Sequence, residues 1–383
     1  MSRKIAYCIP SLHIHGGMER VVTNKANFFA EQLGYEVYII MTDAKEKKPF
    51  FPLSPKVHLI QLDENFEELW CQPLWKRMYL YIKHIHGYKK KLAHCLMELK
   101  PDITISTLRR EINFLCNIKD GSKKIGEMHM NRKEFRNLNQ DKTAGVIKKL
   151  IQQIWNRQLI RSLKKLDKFI VLTERDKAEW TELDNVQAIP NPLSFYSETP
   201  SNCQTKTAIA VGRFCYQKGF DLLIQAWKEV VKKHPDWKLN IYGDNGEKIT
   251  RYVHEMNMES SCVLHPVTSD IQNKMIENSL FILSSRFEGF GMVISEAMAC
   301  GLPAVAFDCH YGPREIIQDK EDGLLAVNGN IHDLANKVCY LIEHEDIRIE
   351  MGKKAYQNIK RLHIEQIGMI WQKLFDSILQ NNL

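Results

Sequence analysis

Short apolar runs alternate with longer amphipathic segments through the first half of the chain. The runs are KIAYCIPSL, YEVYIIMT, KVHLIQL, DITIST, KIGEMHM and KFIVLT, each of the length expected for a buried strand. Helical or polar segments separate them, beginning with MERVVTNKANFFAEQL. Because strands that alternate with helices form a parallel sheet covered on both faces, the pattern predicts a doubly wound α/β domain over residues 1–190.

The same alternation restarts in the second half. Residues 191–206 are rich in Pro, Asn and Ser and have no sustained period, so they predict a linker. The apolar runs TAIAVGRF, WKLNIYG, CVLHP, SLFILSS, LPAVAF and GLLAV follow it. They predict a second α/β domain over residues 207–364, and residues 365–383 predict a helix that crosses back to the N-terminal domain. The predicted apolar face of that helix is Ile367, Ile370, Trp371, Leu374, Phe375 and Ile378.

Composition narrows the class of protein. The formal net charge of +7 over 383 residues suits an anionic ligand or a membrane surface, and is too small to indicate a nucleic-acid partner. Ten cysteines lie singly, with no CxxC pair, as reduced thiols of a cytoplasmic protein do. No apolar run reaches the roughly 18 residues of a membrane span, and the N-terminus does not resemble a signal peptide. We therefore expect a cytoplasmic protein.

Several common site motifs are absent from the sequence. There is no GxGxxG after the first strand and no GxxxxGK[ST], which argues against dehydrogenases and P-loop enzymes. There is also no HExxH, no pair of cysteine ligands and no Asp-x-Asp pair. We accordingly expect a site that needs neither a metal nor a bound cofactor.

Two glutamates flank a glycine-rich turn and a predicted helix in RFEGFGMVISEAMACGLPAVAF. Glu288 lies in the turn, Glu296 lies in the helix, and Gly301 with Pro303 ends the helix. The amides at residues 291–293 form an anion site at the start of the helix. At about 1.5 Å of rise per residue the carboxylates lie about 12 Å apart, the span between a sugar and a ribose joined by a diphosphate. The alternative is that Glu296 lies on the solvent face of its helix and Glu288 closes a turn.

Two further glycine loops follow predicted strands. Arg213 and Lys218 lie in AVGRFCYQKGFDLLIQAW, beside Gly212, at the edge of a parallel sheet where open α/β folds bind anions. Gly16 and Gly17 lie in HIHGGMER between the first strand and its helix, a position that permits close approach of a phosphate. The alternatives are a solvated basic loop and a plain tight turn.

His129 ends the strand in KIGEMHMN. A histidine there is either a packed residue of an α/β domain or a catalytic group, and the sequence leaves both open. We expect Glu127 to face the opposite side of the strand.

Two basic segments indicate a surface for an acceptor or a membrane. Residues 132–168 hold eleven Lys and Arg against three Asp and Glu, and the helix predicted around 143–166 is amphipathic. The segment WCQPLWKRMYLYIKHIHGYKKK adds Trp70, Trp75, Tyr79 and Tyr81 among cations. Each segment either contacts the membrane or packs on its own domain.

Together GGMERV, GEMH, IPNPL, VGRFCYQKGFDLLIQAW, IYGDNGE, FEGFGMVISEAMACGLPAVAF and GPREIIQDKEDGLLAV run nearly the length of the chain. In order and spacing they resemble the family-4 retaining glycosyltransferases, the glycosyl transferases of group 1 with the GT-B fold. The E-x7-E run followed by A-x-A-x-G-x-P is the most specific part. The resemblance implies two Rossmann-like domains facing each other across a cleft that holds the site.

The resemblance also implies a role for individual residues. Arg213 and Lys218 match the pair that neutralises the donor diphosphate, Glu288 the contact to the sugar hydroxyls, and Glu296 the contact to the ribose. His129 would lie near the reacting face of the sugar. The implied donor-binding set is completed by Gly16, Gly17, Gly212, Gly289, Phe290, Gly291, Met292 and Val293.

The implied activity is a retaining, metal-independent transfer of a hexose or N-acetylhexosamine from a nucleotide sugar, with UDP favoured. The implied acceptor is a glycan or polyprenyl-linked glycan of a bacterial capsule, exopolysaccharide or lipopolysaccharide. The enzyme would work in the cytoplasm, at the inner face of the membrane if its basic segments contact lipid. The alternatives are a GT-B nucleotide-sugar epimerase and a non-catalytic sugar-binding partner.

Overall fold

A computed structural model describes residues 2–43, 46–132, 146–244 and 246–380, with side chains of residues 146–151 excepted. The chain divides into two compact units. The first consists of Met1–Pro192 with Ile364–Leu383, and the second of Leu193–His363. Each unit contains one parallel sheet with helices packed on it.

The first sheet has seven strands in the order β3-β2-β1-β4-β5-β6-β7. Its strands are β1 (Lys4–Ile9), β2 (Glu36–Met41), β3 (Val57–Gln61), β4 (Ile103–Ser106), β5 (Lys123–Glu127), β6 (Lys168–Val171) and β7 (Val186–Ala188). The helices of this part of the chain are α1 (Gly17–Glu31), α2 (Leu74–Leu99), α3 (Val146–Leu163) and α4 (Glu174–Glu179). Short 3₁₀ segments cover Phe66–Cys71, Arg110–Asn113 and Leu115–Asn117.

The second sheet has six strands in the order β10-β9-β8-β11-β12-β13. Its strands are β8 (Thr207–Val211), β9 (Lys238–Tyr242), β10 (Cys262–His265), β11 (Leu280–Leu283), β12 (Ala304–Phe307) and β13 (Gly323–Ala326). The helices are α5 (Phe220–Lys233), α6 (Glu247–Glu255), α7 (Ile271–Ile276), α8 (Met292–Ala299), α9 (Pro313–Ile316), α10 (Ile331–Glu343) and α11 (Glu345–Asn358). Short 3₁₀ segments cover Tyr216–Lys218 and Ile359–Leu362.

The predicted pair of doubly wound parallel sheets is confirmed. Every predicted apolar run contains a strand, because strands covered by helices on both faces are apolar along their whole length. Strand β7 was not predicted, since it has three residues and all are only half-buried. The segment predicted as a linker differs as well. Its residues from Leu193 onward lie in the second unit, where Leu193 and Cys203 are buried and the Ser197 amide donates to the Ala299 carbonyl at 3.1 Å.

The last helix, α12 (Ile364–Gln380), packs in the first unit against α1. Phe29 of α1 meets Phe375 with ring centroids 5.4 Å apart and Trp371 at 6.4 Å. A Cβ on Gly368 would overlap the ring of Phe28, so the close approach of the two helices requires glycine there. The predicted apolar face is buried except at Ile370, which is exposed because it lies on the outer side of α12.

The two segments predicted to contact a membrane or pack as core are partly exposed. In α3, Ile154 and Trp155 are exposed while Leu159 is buried, and residues 143–145 lie outside the described ranges. Around the start of α2, Trp70 and Trp75 are exposed. Within the described ranges no helix is both long enough and apolar enough to cross a membrane.

Candidate functional site

Each sheet has one point at which the strand order reverses, between β1 and β4 in the first unit and between β8 and β11 in the second. The loops that leave neighbouring strands there diverge, and open α/β sheets bind ligands in the crevice this leaves at the carboxyl ends of the strands. In the second unit, residues 212–218 follow β8 and residues 284–291 follow β11. These two loops contain most of the predicted site residues.

Backbone and side-chain hydrogen bonds join the two loops of the second unit. The Arg286 amide donates to the Gln217 carbonyl at 2.8 Å, and the Ser284 hydroxyl donates to the Lys218 carbonyl at 2.9 Å. Gly219 has φ +63°, and a Cβ there would overlap the Ser284 carbonyl oxygen. The position therefore needs glycine both for its left-handed backbone and for its close approach to the neighbouring loop.

These hydrogen bonds between the two loops place a lysine against a glutamate. Lys218 Nζ lies 2.7 Å from Glu288 Oε1, and the Ser285 hydroxyl donates to the same oxygen at 2.6 Å. The side chains of Lys218 and Glu288 are largely buried. A Cβ on Gly212 would lie 3.2 Å from the methylene carbons of Lys218, so glycine at that position leaves room for the lysine stem. The predicted residues Gly212, Lys218 and Glu288 are therefore in direct proximity.

Arg286 was not predicted as a site residue, yet it supports the loop that carries Lys218. Its guanidinium binds the Asp221 carboxylate with two bonds of 2.9 and 2.6 Å, and donates to the Tyr216 carbonyl at 2.9 Å. The same group lies 4.3 Å from the centre of the Tyr216 ring. Arg213, by contrast, is exposed at the start of the loop.

The turn before α8 consists of Gly289, the buried Phe290 and Gly291, which has φ +95° at the N-cap of α8. Helix α8 begins at Met292, so the first-turn amides, including those of Met292 and Val293, have no acceptor within the helix. The start of the helix therefore offers donors and a positive dipole end to an anion. The estimate of about 12 Å between the two glutamates treated the whole interval as helix. The structure corrects it, because the residues before Met292 form a turn.

Glu296 lies within α8 and is buried, so the alternative that it occupies the solvent face of its helix is wrong. The Ser194 hydroxyl donates to Glu296 Oε1 at 2.6 Å. Ser194 was not predicted, because it lies in the segment interpreted as a linker. The pair places a polar hydroxyl and a carboxylate side by side inside the second unit.

In the first unit, Gly16 is the N-cap of α1 and Gly17 is its first residue. The carboxylate of the buried Glu19 lies against Gly16, and a Cβ at position 16 would overlap it. A larger residue at position 16 would therefore displace the Glu19 carboxylate from its present position. An acidic side chain in the first turn also interacts favourably with the helix dipole.

His129 follows β5 in the first unit and lies beside two buried charged residues. Its Nε2 atom is 3.6 Å from Glu127 Oε1, and Lys25 Nζ of α1 is bonded to the same oxygen. The expectation that Glu127 faces away from His129 is wrong, because residues two apart along an extended chain point to the same side. Lys25 was not predicted; nothing in an amphipathic helix marks one lysine as buried.

Burial influences the protonation states of His129, Lys25 and Glu127. It lowers the pKa of His129 to about 4, with the Glu127 charge opposing the shift, so the imidazole is neutral at neutral pH. Burial also lowers the pKa of Lys25. For Glu127 burial acts to raise the pKa, but the charge and hydrogen bond of Lys25 outweigh it and the pKa is lowered. Lys25 and Glu127 thus form a buried ion pair.

The predicted residues fall into two groups. Gly16, Gly17 and His129 lie in the first unit, at the carboxyl ends of β1 and β5. The rest lie in the second unit on the loops after β8 and β11 and in α8, namely Gly212, Arg213, Lys218, Glu288, Gly289, Phe290, Gly291, Met292, Val293 and Glu296.

Two other features lie away from these residues. His234, Cys339 and Glu343 bring three metal-binding atoms within 4.8 Å of one another, the only such group in the described part of the chain, and none of them is a predicted site residue. A pocket of about 630 Å³ lies between β3 and the C-terminal half of α2. No predicted site residue lines it.

Comparison with known proteins agrees with this architecture. Residues 197–358 match the family model described as Glycosyl transferases group 1. An uncharacterized glycosyltransferase of Haemophilus influenzae is 29% identical over 387 residues, which cover 97% of this chain and 99% of the relative. The poly(ribitol-phosphate) alpha-N-acetylglucosaminyltransferase of Staphylococcus aureus is 32% identical over 263 residues, covering 67% of this chain. The match spans about half of that relative, 51% of its length.

A solved structure shows the same fold. A mutant of S. aureus TarM, determined with Fondaparinux, alpha-GlcNAc-glycerol and UDP, superposes with a TM-score of 0.77. It is 20% identical in sequence, and the match covers 97% of this chain and 99% of that one. At this level of identity the likeness concerns the fold alone.

Proposed function

We propose that this chain, whose residues 197–358 match the Glycosyl transferases group 1 model and whose fold is GT-B, is a glycosyltransferase that catalyses a specific reaction. It moves a hexose or N-acetylhexosamine from a nucleotide diphosphate sugar, most favourably a UDP sugar, to a hydroxyl of a glycan or polyprenyl-linked glycan. The transfer retains the anomeric configuration and uses no metal. Support for UDP comes from the TarM structure determined with that nucleotide.

The observation that carries the proposal is the Lys218–Glu288 pair at the strand-order reversal of the second sheet. The site combines three kinds of group: a lysine, a carboxylate and the amides at the start of α8. Lys218 Nζ lies 2.7 Å from Glu288 Oε1, and the hydroxyl of Ser285 donates to the same oxygen. A carboxylate accepts bonds from sugar hydroxyls, a lysine neutralises phosphate, and helix amides donate to phosphate oxygens. A nucleotide sugar presents partners for all three.

Lys218 and Arg213 stabilise the leaving group in this reaction. The bond between the anomeric carbon and the β-phosphate oxygen breaks, and negative charge grows on the diphosphate. Fixed cations and helix amides directed at that charge lower the barrier, because they are already oriented before the bond breaks. The acceptor oxygen forms the new bond to the anomeric carbon, and its proton passes to the departing phosphate oxygen.

Glu288 and Glu296 hold the two ends of the donor. Glu288 accepts hydrogen bonds from the sugar hydroxyls, and Glu296 accepts them from the ribose hydroxyls, with Ser194 keeping its carboxylate in place. In the first unit, Gly16 and Gly17 approach the phosphate. A neutral His129 accepts or donates a hydrogen bond at the reacting face of the sugar without adding charge.

The acceptor belongs to a bacterial surface polysaccharide, such as a capsule, an exopolysaccharide or a lipopolysaccharide. This is supported by relatives named for poly(ribitol-phosphate) modification in S. aureus and for amylovoran biosynthesis in Erwinia amylovora. The enzyme works in the cytoplasm at the inner face of the membrane, where polyprenyl-linked glycans are presented.

The test is to incubate the protein with a panel of UDP and GDP sugars, with and without a lipid-linked glycan extract, in buffer containing EDTA. Nucleotide release that requires the acceptor, with an unchanged anomeric configuration by NMR, is the expected result. Isomerised free donor would instead identify an epimerase, and binding without turnover a non-catalytic partner. An inverted product, or activity abolished by EDTA and restored by metal, would refute the stated mechanism.

Two variants separate binding from chemistry. Glu296→Ala is expected to weaken UDP binding in calorimetry, because the ribose loses its acceptor. Lys218→Ala is expected to lower kcat by about a hundredfold or more, since a group directed at the leaving charge is lost. Lys353→Ala, which removes an exposed lysine of α11, is the matched control and should act like the parent. Parent kinetics in both site variants would exclude this site.

A further inference from the structure

The first half of α2 packs on its own domain along one side only, where Leu80, Tyr81, His84 and Ile85 lie against the cluster that contains Phe66. The buried residues of this 26-residue helix are Tyr88, Leu92 and Leu96, all in its second half. From residue 74 to residue 87, a stretch described in full, every side chain is exposed or half-buried. Most helical stability in proteins comes from packing of an apolar face, so a second apolar face left uncovered on this helix needs an explanation.

The first half of α2 carries this uncovered apolar face. Five apolar side chains of this half have relative accessibilities between 62% and 75%, namely Leu74, Trp75, Met78, Tyr79 and Ile82, while Tyr81, at 42%, contacts Phe66. Residues four apart lie on the same side of a helix, so these five form one continuous stripe. Leu74 lies five full turns before the buried Leu92 and shares its side of the helix, whereas Trp75, Tyr79 and Ile82 lie about 80–140° further round. The stripe is therefore a second apolar face of α2, beside the one that packs on the domain.

The same stretch is strongly basic. Between residues 74 and 97 the sequence contains six Lys and Arg and no Asp or Glu. Lys91 is paired with the buried Glu64 at 2.9 Å, and the Arg77 guanidinium lies 5.5 Å from the ring centre of Trp70. Lys76, Lys83 and Lys90 are exposed and follow one another along the border of the apolar stripe. Acidic side chains that would repel an anionic surface are absent from this stretch.

We propose that the stripe and its bordering lysines bind the surface of an anionic phospholipid bilayer. Trp and Tyr favour the boundary between headgroups and acyl chains, Leu, Met and Ile enter the acyl region, and lysines meet the phosphates. Protein interfaces are depleted in lysine at their cores, so a basic border of this kind fits lipid better than a second protein. The proposal rests on the proposed function for its setting at the inner membrane, and it specifies the surface that makes the contact.

The experiment measures sedimentation of the full chain with vesicles at low and high salt. The vesicles contain phosphatidylglycerol and phosphatidylethanolamine, or phosphatidylcholine alone. We expect binding to the anionic vesicles that weakens with salt, and little binding to phosphatidylcholine. Lys76→Gln, Lys83→Gln and Lys90→Gln should each lower the partition coefficient about fivefold. The double variant Trp75→Ser with Tyr79→Ser should remove binding at any salt concentration.

Matched controls carry the same chemical changes elsewhere. Lys353→Gln with Lys354→Gln removes two exposed cations of α11, and Met369→Ser removes an exposed apolar side chain of α12. These variants should bind vesicles as the parent does. Thermal melts should be unchanged in all variants, since every altered side chain is exposed.

Three results would overturn the proposal. The first is no sedimentation of the parent with anionic vesicles. The second is equal binding by the stripe variants and the parent. The third is self-association of the parent, seen by light scattering without lipid and lost in the Trp75 and Tyr79 double variant, which would identify a second copy as the occupant. An assay of transfer to a water-soluble acceptor separates the two proposals. If only the membrane proposal fails, the stripe variants and the parent keep the same transferase activity. If only the proposed function fails, the chain shows no transferase activity and still binds vesicles.

Discussion

Removing one member of the buried Lys25–Glu127 pair should destabilise the protein far more than removing both. The side chains are 1% and 2% exposed, and Lys25 Nζ also lies 4.2 Å from the centre of the Trp371 ring. Lys25→Met keeps the length of the side chain but removes the charge that compensates Glu127. Glu127→Gln does the reverse.

The magnitude follows from burial. A charge left without its partner in a site of this kind costs about 3–5 kcal/mol of unfolding free energy, because water does not reach it. The double variant leaves no charge, and a buried ion pair replaced by groups of similar volume is often close to neutral. We therefore expect each single change to cost about 3–5 kcal/mol and the double variant to cost less than either one.

The assay is urea unfolding of the parent, both single variants and the double variant, analysed as a double-mutant cycle. The expected coupling free energy is at least about 3 kcal/mol. The exposed pair Lys206–Asp236, changed in the same way, is the control and should show no measurable coupling. Additive single effects for Lys25 and Glu127 would refute the reasoning, since they would mean that the two charges do not depend on each other.

The loss of stability at acid pH provides an independent test of the same ion pair. The pKa of Glu127 is lowered from 4.5, so the folded state holds its proton less tightly than the unfolded state. Its contribution to stability is complete above about pH 4.5 and is lost as the pH falls through the lowered pKa. Glu127→Gln should remove this part of the acid sensitivity.

Three further predictions concern residues near the site. The parent should lose about 2 kcal/mol of stability at His129 between pH 7 and pH 5, because unfolded histidine gains a proton near pH 6.5 and the folded residue only near 4. His129→Gln should abolish this loss. The variant must be compared with the parent, since Asp176, with a pKa raised to about 6, changes stability in the opposite direction over the same range. An equal pH dependence in urea melts would contradict the burial of this imidazole. Arg286→Gln should lower kcat about tenfold to a hundredfold with little change in melting temperature, because it loosens the loop that positions Lys218; unchanged steady-state kinetics would show that the loop holds without it. Gly219→Ala should lower the unfolding free energy by about 1–3 kcal/mol, and turnover with it, because φ is +63° and the added carbon meets a backbone carbonyl. An unchanged melting temperature would count against that backbone geometry.

Local patterns predict the fold well here, and parts of the site. Strands covered on both faces are apolar throughout, so twelve of the thirteen strands stand out as runs. Lys218 and Glu288 could be singled out because each lies beside glycines just after a strand. Their mutual contact could not, since it depends on the neighbouring positions of β8 and β11 in the sheet.

The supporting residues have no local signal. Ser194 meets Glu296 across 102 positions of sequence, and Arg286 meets Asp221 across 65. Lys25, one of several charged residues on an amphipathic helix, is identical in local pattern to a solvated lysine until β5 brings Glu127 to it. Contacts of this kind come from the tertiary fold, and a single sequence contains no period or motif that specifies them.

The return of α12 to α1 has a consequence for synthesis on the ribosome. The second unit is one continuous stretch of chain and can be completed as soon as its last residue emerges, whereas the first unit lacks α12 until Ile364–Gln380 has been synthesised. At roughly 5–20 residues per second, the surface around Phe29 waits on the order of ten seconds or more for Trp371 and Phe375. During that interval Phe29 lacks the two aromatic partners that α12 supplies. A chain truncated before α12 would leave this apolar surface uncovered and open to chaperones and proteases.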